Sequence, residues 1–144
     1  MSERASVSCQ VWFLDQRCRL VPGLWSYDAT DPLAVTLVLS PSDGTARRWS
    51  WARSLLAEAF VAPCGEGHVH LYRSVLDRLV VRLLGPDGDC QLSCLAEPVR
   101  EFLVDTVEVC LPCRGGRCGP CAQCTLVRQA LDIELAGILR GTVS

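Results

Sequence analysis

The chain has 144 residues, 49% of them hydrophobic, and a formal net charge of −2. That length suits one domain around one core, and no run approaches the roughly 18 uninterrupted apolar residues that a membrane-spanning helix needs. A slightly acidic balance argues against a generic polyanion binder, which usually carries a basic excess or a basic stripe. Every basic side chain other than the two histidines is Arg, with no Lys or Asn anywhere, a bias that reports GC-rich coding and no mechanism.

Met1–Ala5 runs directly into a polar–apolar alternation without an apolar stretch, so no secretory signal and a cytosolic location are expected. From Ser6 to Leu14, Val7, Cys9, Val11 and Phe13 face one way and Ser8, Gln10 and Trp12 the other, which predicts a half-buried strand. A second strand is predicted over Cys18–Leu24, a loop over Ser26–Pro32, and a third strand over Leu33–Leu39. Ser40-Pro41-Ser42-Asp43-Gly44 carries an Asp-Gly hairpin signal, and Thr45–Ser50 returns as a fourth strand. From Trp51 to Phe60 the period becomes helical, with Ala52, Leu55, Leu56, Ala59 and Phe60 on one face and Pro63 closing the segment.

Gly65 and Gly67 mark a turn, after which Val69 and Leu71 alternate with His68, His70 and Tyr72. Leu79–Leu84 and Cys90–Leu95 are predicted strands on either side of the Gly85–Asp89 turn. A short helix is predicted from Pro98, placed at the first helical position, with Val99, Phe102 and Leu103 inward. Thr125–Leu139 is predicted as an amphipathic helix whose stripe is Leu126, Ala130, Ile133, Leu135, Ile138 and Leu139. Strands followed by a helix therefore occur twice, an α+β pattern, in one domain over 1–144 with a Cys-rich loop at 107–124 and a C-terminal helix at 125–140.

The sharpest chemical signal is Cys110-Leu-Pro-Cys113-Arg-Gly-Gly-Arg-Cys118-Gly-Pro-Cys121-Ala-Gln-Cys124, which holds five of the ten cysteines. In a reducing compartment such clustering speaks against a disulfide framework. Two Cys-x-x-Cys units aim thiolates at a common point about 2.3 Å from each sulfur, and zinc accepts four sulfurs readily, so four of these five are candidate zinc ligands. Three readings stand beside zinc. Cys118-x-x-Cys121-x-x-Cys124 matches part of an iron–sulfur run but lacks the following Cys-Pro. Cys118-Gly119-Pro120-Cys121 is a thioredoxin-type tetrapeptide without the strand and βαβ context. The plainest reading is a loop whose thiols do nothing.

His68 and His70 lie two apart on a predicted strand, where a pair can bind metal or move protons, with Cys64 as a further ligand. Solvent-facing strand histidines are the plainer reading. Asp28 and Asp31 before Pro32 read as turn chemistry ahead of a catalytic dyad. Arg47 and Arg48 beside Trp49 and Trp51, and Tyr72 beside Arg73, have the composition of a single-strand nucleic-acid platform, although the Trp positions also fit the core. Neither a phosphate-cradling Gly–Lys loop nor a Gly-x-Ser-x-Gly or Ser-x-x-Lys motif is present in the sequence, so no enzyme is expected.

Three runs in fixed order carry a resemblance: Tyr27 followed by Asp31-Pro32-Leu33-Ala34-Val35, then Trp49-Ser50-Trp51-Ala52-Arg53-Ser54-Leu55-Leu56, then Pro63-Cys64-Gly65-Glu66-Gly67-His68-Val69. Together they resemble the SsgA-like proteins, small regulators of septum placement and sporulation in filamentous actinomycetes, and residues from about 5 to 106 follow that layout. The resemblance implies a Whirly-like fold, two antiparallel sheets packed with helices, assembled as a homotrimer. It implies a non-catalytic adaptor, cytoplasmic and recruited to division septa, with other SsgA-like proteins and the tubulin-like division ring as partners. Trp49, Trp51, Leu55, Leu56 and Phe60 take structural roles, and Tyr27, Asp31 and Pro32 form the expected recognition loop. Leu33 stands where the family commonly has an aromatic and Ser54 where it commonly has Asp. The Cys-rich loop lies where the family pattern is short and poor in cysteine, so the resemblance gives no support for a metal. A Whirly-like single-stranded nucleic-acid module and a zinc- or thiol-based sensor are the other functional readings.

Overall fold

Alternation dictates the first two elements, β1 (Arg4–Leu14) and β2 (Cys18–Asp28), which pair antiparallel from Arg4 opposite Asp28 to Leu14 opposite Cys18. A computed structural model describes residues 4–14, 17–42, 44–85, 88–110 and 124–132. Ala5, Val11 and Phe13 of β1 and Val21, Trp25 and Tyr27 of β2 are buried, because successive side chains of a strand point to opposite faces. Gly23 sits where a Cβ would lie 2.7 Å from Val11 Cγ2 and 3.2 Å from Leu39 Cδ2, so glycine lets the neighbouring strands' side chains close over it. β3 (Ala34–Leu39) and β4 (Arg47–Ala52) extend this half of the sheet, burying Val35, Leu37, Leu39 and Trp51. α1 (Arg53–Glu58) follows without a break.

The second half repeats the order: β5 (Cys64–Glu66), β6 (Val69–Arg73), β7 (Arg78–Leu83), β8 (Cys90–Leu95) and then α2 (Ala96–Val109). The expected two sheets are one. The eight strands among the described residues form a single antiparallel sheet in the order β4-β3-β2-β1-β8-β7-β6-β5. Trp12–Leu14 at the end of β1 pair with Gln91–Ser93 of β8, so backbone groups on the free edge of each half are satisfied by the other half. The α+β class stands, and the two-sheet layout is corrected.

Val99, Phe102, Leu103, Thr106 and Val107 form the buried stripe of α2, at the three- and four-residue spacing of an amphipathic helix. Trp25 is the hub beneath it, its ring 5.7 Å from Trp51 and 6.4 Å from Phe102 between centroids. α2 starts at Ala96, so Pro98 occupies the third helical position, still within the first turn where no N–H is needed. It also runs to Val109 and takes in the first three residues of the expected 107–124 loop. Residues 124–132 are helical, with Cys124, Val127 and Ala130 buried, so Ala130 lies inward as expected whereas Leu126, 48% exposed, does not. Ile133, Leu135, Ile138 and Leu139 fall outside the described residues.

Three further boundaries differ from expectation. β2 continues past Leu24 to Asp28, because Ser26 and Asp28 occupy its outer positions while Trp25 and Tyr27 keep the inward phase. β4 continues to Ala52, leaving α1 shorter than 51–60. β5 was not foreseen; its three residues pair with Val69–Leu71 through a turn at Gly67, whose φ of 62° favours glycine. Among the described residues no helix is long and apolar enough to cross a membrane.

Leu56 is fully buried, whereas Leu55, on the same expected stripe, is only partly so. Leu56→Asp is expected to abolish cooperative melting, since an unpaired buried carboxylate costs several kcal/mol against a total stability of about 5–15 kcal/mol. Leu55→Asp should be milder, and the exposed Arg47→Ala should stay within about 0.5 kcal/mol of the parent. Circular dichroism melts check the order, and a Leu56→Asp protein melting like the parent would contradict the packing.

Candidate functional site

The polar centre of the interior is Arg53, the first residue of α1. Inward positions on β4 fall at Trp49 and Trp51, and the next in that phase is Arg53, whose side chain is completely buried. Its backbone N–H donates to the Leu33 carbonyl at 2.7 Å, anchoring the start of α1 to the β2–β3 loop. Nη1 donates to the Thr106 carbonyl and to Thr106 Oγ1, each at 3.3 Å, and Thr106 Oγ1 donates back to the Leu103 carbonyl at 2.6 Å. Nη2 donates to Cys124 Sγ at 3.3 Å and reaches Cys110 Sγ at 4.0 Å. The guanidinium lies 4.9 Å from the centroid of the Tyr27 ring, within cation–π range.

No carboxylate pairs with Arg53 among the described residues, and its Nε has no hydrogen-bond partner there. Burial favours loss of its charge, but the Cys124 hydrogen bond, with Tyr27 and both sulfurs nearby, outweighs it and holds the pKa above its ordinary value. A buried cation costs several kcal/mol to desolvate unless well paired. Tyr27 is correspondingly not a surface residue. It sits on β2 at 2% exposure, and burial first, then the neighbouring Cys110, push its phenol far above its ordinary value against the pull of Arg53. Its hydroxyl is buried beside Cys110 without a well-formed hydrogen bond among the described residues. Tyr27 therefore leaves the expected recognition loop.

Asp31 is exposed and Pro32 partly so, within the turn that joins β2 to β3. Asp28 Oδ1 accepts from Thr30 N at 3.0 Å and Thr30 Oγ1 at 2.8 Å, and Asp31 N donates to the Asp28 carbonyl at 2.9 Å, so the aspartates form a turn. The Thr30 bonds first, and then Arg4, hold the Asp28 carboxyl below its ordinary range. A lowered folded pKa means the carboxylate's contribution is present above the ordinary carboxylate range and is lost as pH falls below it.

Cys110 and Cys124 are buried on Arg53, whereas Cys113, Cys118 and Cys121 lie outside the described residues. Among the described residues no group of three or more His, Cys, Asp and Glu side chains has metal-binding proximity. His68 lies in the β5–β6 turn and His70 on β6, both exposed, so they are not neighbours on one strand. Cys64 Sγ donates to the Leu55 carbonyl at 3.3 Å, and burial, then Glu58, push its thiol up to about 11. Trp49 packs 6.3 Å from Phe13 and Trp51 packs on Trp25, so the two tryptophans of the nucleic-acid platform reading face inward, while Tyr72 is half-buried on β6. Arg53 itself was missed as a site residue. The signal was present, because extending the β4 alternation by one step places it inside.

The fold, one antiparallel sheet packed with helices, is shared with solved SsgA-like proteins. One is the crystal structure of an SsgA-like sporulation-specific cell division protein from Thermobifida fusca, with a TM-score of 0.69 at 21% identity over 93% of this chain and 94% of that one. Another comes from work on mutations in SsgB that correlate to longitudinal cell division during sporulation of Streptomyces coelicolor, with a TM-score of 0.65 at 27% identity over 76% and 89%. A family profile described as Streptomyces sporulation and cell division protein, SsgA, matches residues 21–113, and the chain belongs to that family. It is 39% identical over 88 residues to the sporulation-specific cell division protein Francci3_3418 of Frankia casuarinae, covering 59% of this chain and 60% of that protein. It is 36% identical over 88 residues to SsgB of Kineococcus radiotolerans, covering 58% and 53%. The matched stretch thus spans a little over half the length of these relatives.

With its hydroxyl buried and unpaired, Tyr27→Phe is expected to leave the melting temperature unchanged or to raise it, by up to about 1 kcal/mol of stability. Tyr27→Ala should cost about 3–5 kcal/mol through the cavity it opens. A folded Tyr27→Phe protein that lost partner capture would return Tyr27 to the recognition surface.

Proposed function

We propose that this chain is a non-catalytic adaptor that regulates septum-site localisation and cell division during sporulation, acting through protein–protein contacts. The observation that carries this reading is the family match over residues 21–113, joined by relatives named sporulation-specific cell division proteins. The expected partners are other SsgA-like proteins and the tubulin-like division ring, and the expected place of action is the septum, reached from the cytoplasm.

Recognition is assigned to the turn from Thr30 to Leu33. Asp31 is exposed and Leu33 is 56% exposed, while the Asp28–Thr30 bonds and the Arg53 N–H to the Leu33 carbonyl fix the backbone at both ends. A rigid loop with an exposed aliphatic tip binds without a large ordering cost. A homo-oligomer, with a trimer favoured, is assigned to the outer face of the β1–β2 hairpin. There Trp12 at 44% exposure stands opposite Leu20 at 50%, beside Leu14 at 44% and Leu24 at 41%. Apolar stripes of this kind are more often covered than left in water.

A fluorescent fusion expressed in sporulating hyphae of Streptomyces coelicolor is expected to form ladders at septa. The exposed double variant Asp31→Ala, Leu33→Asp should stay folded and spread through the cytoplasm. Light scattering of the parent should return a trimer that Trp12→Asp dissociates. Uniform cytoplasmic fluorescence of the parent would contradict the septal role, and a stable monomer at micromolar concentration would contradict the assembly.

A further inference from the structure

Two thiols meet at the seam between the halves of the sheet, and the division role leaves them unused. β1 and β8 pair only from Trp12 opposite Ser93 to Leu14 opposite Gln91. Just past the end of that ladder lie Cys9 on β1 and Cys94 on β8. Cys9 shares the inward phase of Val11 and Phe13, and Cys94 that of Leu92, so both side chains leave the same face of the sheet. The two thiols are in hydrogen-bond contact, Cys9 half-buried and Cys94 buried. Trp25 Nε1, a buried donor without a well-formed hydrogen bond among the described residues, faces both sulfurs. An unsatisfied N–H in the interior is costly, and the acceptor that answers it best is an ionised sulfur.

The Cys94 hydrogen bond outweighs burial and, helped by the indole N–H, holds the Cys9 thiol below its ordinary range. Donation to Cys9, and then burial, push the Cys94 thiol far up. Cys9 is the nucleophile of such a pair and Cys94 its proton donor. We propose that Cys9 and Cys94 are a reversible redox site, forming a disulfide between β1 and β8 by exchange with a low-molecular-weight disulfide. The Cys9 thiolate attacks one sulfur of the small disulfide, whose other half departs as a thiolate and takes a proton from solvent. Cys94 then attacks the Cys9 sulfur of the mixed disulfide, and the second small thiolate leaves with the Cys94 proton. Two electrons and two protons thus pass from the protein to the small disulfide, which ends as two thiols. The sulfurs must close to about 2.05 Å. That movement falls to β8, which leaves β1 after Ser93 and turns into α2 at Ala96. In a reducing compartment the pair stays a dithiol, and it bonds only as small disulfides accumulate. The bond staples the two halves where their backbone pairing is shortest, and this reading is independent of the septal role.

The test uses the full chain, reduced, freed of reductant and exposed to oxidised glutathione. After acid quenching, alkylation and digestion, mass spectrometry is expected to find the peptide of Cys9 joined to that of Cys94 and lighter by two hydrogens, and dithiothreitol should release it. Cys9→Ser and Cys94→Ala should each remove the cross-link, whereas Cys90→Ser, one inward step beyond Leu92 on β8, should keep it. In Cys94→Ala the reaction should stop at glutathione held on Cys9. Before oxidation, Cys9 should be alkylated at least tenfold faster than Cys94 in the folded protein. The bond closes a loop from residue 9 to residue 94, so oxidised protein should melt about 10 °C above reduced protein. Cys9 and Cys94 both still alkylated after oxidation, or Cys9 joined to another cysteine, would overturn the proposal. So would glutathione that stays on Cys9 in the parent, because Cys94 would then fail to resolve it. A cross-linked protein that melted no higher than the reduced one would overturn the stapling of the two halves.

Discussion

A guanidinium buried at the junction of β4 and α1 ties together most of what this protein is built from. Through Arg53 the β2–β3 loop, the Tyr27 ring on β2, the Thr106 turn of α2 and the two cysteines beyond it share one polar point in an apolar interior. Hydrophobic burial supplies the bulk of the stability and is non-directional. The fan of N–H donors is directional, and it fixes how α2 and residues 124–132 sit against the first half of the sheet. In the same interior Trp25 packs at a tilt against Trp51 and Phe102, so an aromatic cluster and a polar one both bridge the sheet and α2.

That corner joins two halves that would otherwise be separable units of four strands and a helix. The β1–β8 pairing is only three residues long, from Trp12–Leu14 to Gln91–Ser93. Helix α2 belongs in sequence to the second half but buries Phe102 on Trp25 of the first. The exposed turn from Thr30 to Leu33 is held by the Asp28 carboxylate on one side and by the backbone N–H of Arg53 on the other. Ser54 lines a groove with Glu58, Val61, Leu126, Gln129 and Ala130, between α1 and the helical residues 124–132.

Much of this was legible in the sequence wherever one period dominated. Val11 and Phe13, or Val99, Phe102 and Leu103, announce their strand and helix because one face is uniformly apolar. Reading failed where two signals overlapped. Ser26 and Asp28 look like a loop because polar residues on the outer face mask the inward Trp25 and Tyr27. Cys64–Glu66 has too few side chains to signal a strand and is one only because β6 pairs with it. Leu126 reads as inward because apolar residues occupy both sides of that helix; Ala130 is legible, whereas only packing selects Cys124 and Val127. Arg53 was hidden by its chemistry: a charged residue is presumed outside, and long-range partners at Thr106, Cys110 and Cys124 are invisible to any local window.

The central claim is that a fully buried guanidinium at Arg53 holds α2 against the first half of the sheet. A crystal structure of the full chain tests it most directly. Arg53 Nη1 is expected within hydrogen-bond distance of the Thr106 carbonyl and Oγ1, with the guanidinium over the Tyr27 ring. An Arg53 side chain turned out to solvent, with α2 packed as before, would contradict it.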